Sequence, residues 1–290
     1  MTNSQDGQKP HLPATMKEAV FQRFSSFIYE SVGIKMPPAK KTMLEARLQK
    51  RLKALNLDSF EEYSNFVFSR QGHDCEMIHL IDVVTTNKTD FFREPAHFDF
   101  LVKTALPAII DGRREMLREP LRIWSAGCST GEEPYTLAMV LSDFAEKNAD
   151  FSFYILATDI STRVLETAKA AIYPEERTDT IPLSIKKKYL LKSKNPALSL
   201  VRISTPLRST VSFRRINFMD DDFGIAGKMD IIFCRNVVIY FDKQTQQTLM
   251  KKFHQQLRPG GYLFIGHSET LSGLDVGFKA VASTIYRKEK

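Results

Sequence analysis

The sequence predicts an all-α N-terminal region followed by an α/β region built on a parallel sheet with helices on both faces. Three observations predict this. From about Met16 to Thr86, apolar residues recur at helical spacing. From Leu121 onward, short apolar runs alternate with amphipathic stretches, the pattern of a covered parallel sheet. Residues 175–210 break that alternation with turn residues and short β-like runs, which reads as a small insertion between units of the sheet.

The elements follow in order. MKEAVFQRFSSFIYESVGI places Val20, Phe24, Phe27, Ile28 and Val32 at helical spacing, and Pro37 and Pro38 break the pattern. KKTMLEARLQKRLKALNL sets Leu44, Leu48, Leu52 and Leu55 on one face. DSFEEYSNFVFSR and CEMIHLIDVVTT read as further helices, with Asp58 or Ser59 as N-cap of the first. LRIWSAG is a buried-strand pattern, and EPYTLAMVLSDFAEK is an amphipathic helix with Pro134 near its start. SFYILATDI is a second strand, and STRVLETAKAAIY a helix capped by Ser161 or Thr162. VSFRRINF, MDIIFCRN and GYLFIGHS read as strands. KQTQQTLMKKFHQQLR is a helix between the last two, ended by the PGG turn at 259–261, and FKAVASTIYRK closes as a strand or hairpin.

Composition narrows the function classes. The 290 residues are 43% hydrophobic, enough for a sizeable core. No apolar run reaches transmembrane length, and the polar opening MTNSQDGQKPHLPAT has no signal-peptide core. Cys75, Cys128 and Cys234 lack paired spacing, so a reducing cytoplasm is expected. Scattered histidines and no CxxC give no expectation of a metal site. Cys128 reads as a small packed turn residue rather than a nucleophile. The net charge of +7 suits an acidic partner, whether nucleic acid, anionic membrane or acidic protein.

Residues 124–135, WSAGCSTGEEPY, form a glycine turn between a strand and a helix. Gly127 and Gly131 allow close approach to the backbone, and a helix N-terminus offers free N–H groups. Such a turn usually cradles phosphate, yet Glu132 and Glu133 follow it directly. Asp159 stands at the end of the next strand, where an acid can accept from both hydroxyls of a ribose. It comes 28 residues after Gly131, and the turn does not match G-x-G-x-x-G, so a dinucleotide is disfavoured. A ligand with a ribose, no phosphate and two cationic groups fits the acids, and S-adenosylmethionine is such a ligand. Compensation of the helix dipole is the competing explanation for the two glutamates.

Six segments occur in a fixed order: TTNKTDFFRE at 85–94, SAGCSTGEEPY at 125–135, ATDI at 157–160, INF at 216–218, FCRNVVIYFD at 233–242 and GHSE at 266–269. Together they resemble the CheR family of chemotaxis receptor methyltransferases over roughly residues 16–288. The resemblance implies a class I S-adenosylmethionine-dependent methyltransferase domain, Rossmann-like with a mostly parallel seven-stranded sheet and a small antiparallel β insertion, after an all-α domain. It implies a tail over 1–15, a helical domain over 16–90, a linker and lid over 91–120 and the methyltransferase domain over 121–290. It also implies methyl transfer from S-adenosylmethionine to receptor glutamates, with S-adenosylhomocysteine as product.

By motif match, Asn87, Thr89 and Arg93 resemble cofactor contacts on a lid segment. Gly127 lies in the turn, and Glu132, or alternatively Glu133, meets the methionyl amine. Asp159 holds the ribose, Asn217 and Phe218 lie by the adenine, and Arg235 and Asn236 close the site. Arg93 and Tyr240 sit near the transferred methyl and are the catalytic candidates. The resemblance also turns the basic stretch Lys35–Lys53, with seven basic residues and one acid, toward receptor docking. Arg47, Lys50, Arg51 and Lys53 are its candidates, and the cytoplasmic methylation helices of chemoreceptors the expected partner. In some family members the β insertion binds a receptor C-terminal tail peptide by strand addition, but KSKNPALS lacks the glycine-rich turn expected for that. A monomer with no nucleic-acid partner is expected. An RNA methyltransferase and a non-catalytic sensor are the competing readings. The end of the fourth strand, RNVVIYF, lacks the Pro-Pro-Tyr type motif of many amino-group methyltransferases.

Overall fold

The structure is a computed structural model that describes residues 15–112 and 119–289. The N-terminal tail expected over 1–15 therefore lies outside the described residues but for Thr15, and so do 113–118 of the expected linker. The chain forms two compact units. One comprises residues up to Ser31 together with Lys35–Thr85, and the other comprises Val32–Ile34 together with the chain from Thr86.

The first unit is all helical, with α1 Glu18–Val32, α2 Lys41–Leu55, α3 Phe60–Val67 and α4 Arg70–Val84. Phe21, Phe24, Ile28, Leu44, Leu48, Leu52, Phe60, Tyr63, Val67 and Leu80 are buried, as the helical periodicity requires. Ser59, not Asp58, caps α3 and accepts from the Glu62 N–H at 3.2 Å. Helix α4 starts at Arg70, five residues before the CEMIHLIDVVTT segment, because Ser69 caps it through the Gly72 N–H at 3.1 Å.

The second unit opens with a helical run: α5 Ala96–Phe100, a π-helical turn Leu101–Ala105 and α6 Leu106–Gly112. The sequence reading placed a linker here. Leu101, Ala105, Leu106 and Ile109 instead pack into the core beneath the sheet. Pro107 sits inside this run, and the widened turn before it suits a residue with no N–H to donate.

The strands follow as β1 Leu121–Ala126, β2 Phe153–Asp159, β3 Ile172–Pro174, β4 Leu190–Lys192, β5 Leu200–Ile203, β6 Val211–Arg215, β7 Met229–Cys234, β8 Leu257–Ile265, β9 Phe278–Ala282 and β10 Ile285–Lys288. The remaining helices are α7 Glu132–Ala145, α8 Thr162–Ala170, α9 Leu183–Tyr189, α10 Thr205–Arg208 and α11 Lys243–Gln256. The main sheet has seven strands in the order β6-β2-β1-β7-β8-β10-β9. Its first five strands are parallel, and β10 runs antiparallel to β8 and β9. A separate antiparallel sheet, β3-β5-β4, forms the expected insertion, which begins at Ile172. This is the architecture of a class I methyltransferase with a small β insertion.

Both faces of β1, β2, β7 and β8 are largely buried, with Ile123 on one side and Trp124 on the other, so these strands read as apolar runs. One local expectation fails. Pro259, Gly260 and Gly261 lie within β8, and the register against β7 jumps from Met229↔Leu257 to Ile231↔Tyr262. The glycines make an irregularity in a ladder, not a turn between elements. A Cβ on Gly261 would stand 2.8 Å from the Asp230 carbonyl oxygen. Strand order reverses between β2 and β7 across β1, so the crevice for a ligand opens beyond the carboxyl end of β1.

Candidate functional site

Most of the motif residues sit at the carboxyl ends of the parallel strands. Gly127 follows β1, Asp159 ends β2, Asn217 follows β6, Arg235 follows β7 and Gly266 follows β8. The sheet thereby gathers segments that lie up to 139 residues apart onto one edge.

The glycine turn is shaped by neighbours that tolerate no side chain. Gly127 has φ +85°, and a Cβ there would lie 2.6 Å from Val237 Cγ2. Gly131 has φ +100°, and a Cβ there would lie 2.8 Å from the Tyr173 hydroxyl. The Gly127 and Cys128 N–H groups both donate to the Thr158 carbonyl at 2.8 Å, which holds the turn against β2. Asp159, 8% exposed, accepts from the Ser129 N–H at 2.9 Å and the Ser161 N–H at 3.0 Å.

The two glutamates face different surroundings. Glu132 Oε1 accepts from Arg177 Nη2 at 2.6 Å and Oε2 from Thr130 Oγ1 at 2.6 Å. Glu133 turns inward. Its Oε1 accepts from Ser125 Oγ at 2.6 Å and its Oε2 from Arg235 Nε at 2.7 Å, both partners being buried. Three buried carboxylates thus ring the turn. The Cys128 thiol registers their field: burial first, then Asp159, Glu133 and Glu132, push its pKa well above the ordinary value. A thiol so held is no nucleophile. Arg177 and Arg235 offset part of this charge; the negative charge that is left disfavours a phosphate and suits the cationic groups of S-adenosylmethionine.

The segment at 86–94 is fastened to this edge through alternate carbonyls. Asn87 O accepts from Ser129 Oγ at 2.8 Å, Thr89 O from Arg177 Nη2 at 2.9 Å, Phe91 O from Thr180 Oγ1 at 2.8 Å and Arg93 O from Arg235 Nη1 at 2.6 Å. The Arg93 guanidinium donates from Nη1 to the Lys88 carbonyl at 3.1 Å. Its other N–H groups have no partner among the described residues.

Arg235 is a buried hub. Besides Glu133 and the Arg93 carbonyl, it lies 3.3 Å from His97 Nδ1 and 3.5 Å from Glu94 Oε2, above the rings of Phe98 and Phe233. These contacts tie it to Glu133 and to the segment at 93–97. Asn236 has φ +59°. Its N–H donates to Glu269 Oε2 at 2.9 Å, and its Nδ2 lies 3.4 Å from Glu94 Oε1. Tyr240 ends the 3-10 turn Val238–Tyr240. Asn217 forms an Asx turn, its Oδ1 accepting from the Met219 N–H at 3.1 Å. The Phe218 ring packs toward Trp124, Phe223 and Phe253.

Glu94, His97 and His267 bring ligand-type atoms within 4.8 Å of one another, a grouping the scattered histidines of the sequence did not suggest. The Arg235 guanidinium already stands beside two of those residues, Glu94 and His97. A fixed cation there opposes a metal ion.

In the helical unit the four basic candidates divide. Arg51 Nε and Nη2 each donate to buried Glu76 at 2.7 Å, and the Tyr63 hydroxyl donates to the same carboxylate at 2.9 Å. Arg47 Nη1 donates to the Val84 and Thr85 carbonyls. These two arginines hold α2 to α4. Lys50 and Lys53 are exposed.

Two residues escaped the sequence reading. Arg177, in the insertion, pairs with Glu132. Glu269, from GHSE, is buried and accepts from the N–H groups of Asn236 at 2.9 Å, Val238 at 2.9 Å and Gly266 at 2.6 Å. The quoted GHSE segment was the only signal for Glu269, and nothing local marked Arg177. Among the described residues, no helix is long and apolar enough to cross a membrane.

Comparison with known proteins agrees with the geometry. A family model described as "CheR methyltransferase, SAM binding domain" matches residues 87–287, and one described as "CheR methyltransferase, all-alpha domain" matches residues 19–85. A chemotaxis protein methyltransferase of Borreliella burgdorferi is 43% identical over 252 residues, covering 87% of this chain and 88% of the relative. Chemotaxis protein methyltransferase 2 of Pseudomonas aeruginosa is 40% identical, with 92% and 91% covered. The chemotaxis protein methyltransferase of Escherichia coli is 38% identical, with 95% and 92% covered.

Proposed function

Because the chain belongs to the CheR family of S-adenosylmethionine-dependent methyltransferases, we propose that it methylates glutamate side chains of membrane chemoreceptors, giving γ-carboxyl methyl esters. The observation that carries this reading is the Arg93 guanidinium, held by one nitrogen on the lid segment with its other donors open. A directed guanidinium N–H can orient one oxygen of a carboxylate nucleophile.

When bound, S-adenosylmethionine supplies an electrophilic methyl on a sulfonium. Asp159 would hold the ribose and Glu132 the methionyl amine. Glu132 is preferred over Glu133 because its partners Thr130 and Arg177 are partly exposed, whereas those of Glu133 are buried. Asn87, Thr89 and Gly127 would line the crevice, with Asn217 and Phe218 beside the adenine. Asn236 would close the site on the side of β7. Arg235 would act through its grip on the lid segment.

A glutamate carboxylate is ionised at neutral pH, its free pKa being about 4.3. No general base is needed. His97 does not offer one, since both its ring nitrogens already have partners. Arg93 or Tyr240 orients one carboxylate oxygen and leaves the other free to attack. Full neutralisation of the nucleophile would slow the transfer, so a single directed contact serves better than a bidentate grip. The lid segment excludes water from the reacting centre.

Lys50 and Lys53 on α2 present positive charge to an acidic receptor helix. Each edge strand of the small sheet is three residues long, which offers little ladder to an added receptor tail.

The test is to incubate the protein with S-adenosylmethionine and chemoreceptor-bearing membranes, then map methylated peptides by tandem mass spectrometry. Methyl esters on glutamates are expected. Methylation confined to amines or to nucleic acid would contradict the assignment.

A further inference from the structure

Arg177 stands on the 3-10 turn Glu175–Thr178, where the chain leaves β3 and enters the insertion. Its Nη2 donates both to Glu132 Oε1 at 2.6 Å and to the Thr89 carbonyl at 2.9 Å. Glu132 is 1% exposed, whereas the Arg177 side chain is 42% exposed. Arg177 Nη1 and Nε have no partner among the described residues. Two neighbours of Arg177 grip the same region. The Tyr173 hydroxyl donates to the Thr130 carbonyl at 2.8 Å, and Thr180 Oγ1 donates to the Phe91 carbonyl at 2.8 Å. The insertion is therefore built into the crevice edge, touching both the glycine turn and the lid segment.

We propose that Arg177 recognises the α-carboxylate of the methionyl group of S-adenosylmethionine, while Glu132 takes the α-amine. This rests on the reading of the turn as the cofactor site. The methionyl end is a zwitterion whose ammonium and carboxylate share one carbon. A site for it needs an acceptor and a donor fork a few ångströms apart, and Glu132 with Arg177 is such a pair. Arg235 is already committed to Glu133, so without Arg177 the carboxylate would approach Glu132 and Asp159 with repulsion. Arg177 supplies the offsetting cation, with one nitrogen anchored and the rest of the fork open, so little ordering is left for the bound state. Arg235 is held by Glu133 and the Arg93 carbonyl, and the Arg93 guanidinium is left for the substrate carboxylate.

The test uses calorimetric titration of the intact protein with S-adenosylmethionine and with decarboxylated S-adenosylmethionine, which lacks only the carboxylate. Wild type and the variants Arg177→Met and Arg177→Lys are compared. Wild type is expected to bind the full cofactor roughly tenfold to a hundredfold more tightly than the decarboxylated one, the range of a charged hydrogen bond. Arg177→Met should lose that preference while binding the decarboxylated ligand as wild type does, and Arg177→Lys should recover part of it. Equal weakening of both ligands in Arg177→Met would reduce Arg177 to a prop for Glu132 and overturn the proposal, as would no weakening at all. Should Arg177→Met fail to fold, the wild-type preference and the lysine variant decide, and a wild type without preference overturns the proposal. Failure of the underlying cofactor reading looks different: wild type would bind neither ligand.

Discussion

His97 offers a prediction whose size follows from its surroundings. It is 1% exposed, with Nε2 at 2.9 Å from Thr284 Oγ1 and Nδ1 at 3.3 Å from Arg235 Nη1. The Thr284 hydroxyl donates to the Ser283 carbonyl at 2.7 Å, so Nε2 carries the ring proton and Nδ1 accepts from the guanidinium. Protonating Nδ1 would set two cations face to face in a buried site. Burial first, and then Arg235, lower the His97 pKa from 6.5 to about 4, while Glu94 pulls the other way. A histidine held below its unfolded value adds stability that is full above pH 6.5 and is lost as pH falls toward 4. At about 1.4 kcal/mol per pH unit, the loss from this residue is about 2 kcal/mol by pH 5 and about 3 kcal/mol by pH 4. His97→Gln keeps an acceptor for Arg235 but removes the titration. Its urea-unfolding free energy should therefore fall less between pH 7.5 and pH 5 than that of wild type, by about 2 kcal/mol. NMR titration of the imidazole gives the same answer directly, with His97 neutral at pH 5. A His97 signal titrating near 6.5, or equal acid slopes in the two proteins, would refute the reasoning.

Further outcomes follow from other buried charges. Glu269→Gln puts an NH2 donor against at least one of the three backbone N–H groups that the carboxylate accepts; it should lower stability by roughly 1–3 kcal/mol. Because the loop it holds carries both Asn236 and Tyr240, S-adenosylmethionine affinity by calorimetry should weaken and methyl transfer should slow. Arg51→Met strands Glu76, 2% exposed, and should destabilise the helical unit by about 3–5 kcal/mol in thermal or urea melts. Lys50→Ala and Lys53→Ala should leave the melts unchanged and raise the KM for receptor in a steady-state assay.

The fold was legible because burial of both sheet faces writes each central strand as an apolar run and each covering helix as an amphipathic one. The helical run from Ala96 was harder to read. It is interrupted by Pro107 and a π-helical turn, so its apolar residues Leu101, Ala105, Leu106 and Ile109 keep no regular period. PGG reads as a turn by local chemistry, and only the register between β7 and β8 shows that it is a ladder irregularity. The crevice residues could be read where a motif names them, since strand ends carry them to one edge. Arg177 and Glu269 could not be given roles, because their partners lie 45 and 33 residues away along the chain. Arg51 shows the limit of a helical wheel. Its place on the flank of the leucine face fits either an outward docking charge or an inward partner, and Glu76, 25 residues on, decides for the second.

The most direct measurement supplies S-adenosylmethionine tritiated on its methyl group, with the purified protein and membranes carrying chemoreceptors from the same organism. The receptor band should acquire label that mild alkali releases as volatile methanol, the signature of a carboxyl ester. Alkali-stable label, or none on a protein that still binds S-adenosylmethionine, would contradict methyl transfer to a receptor carboxylate.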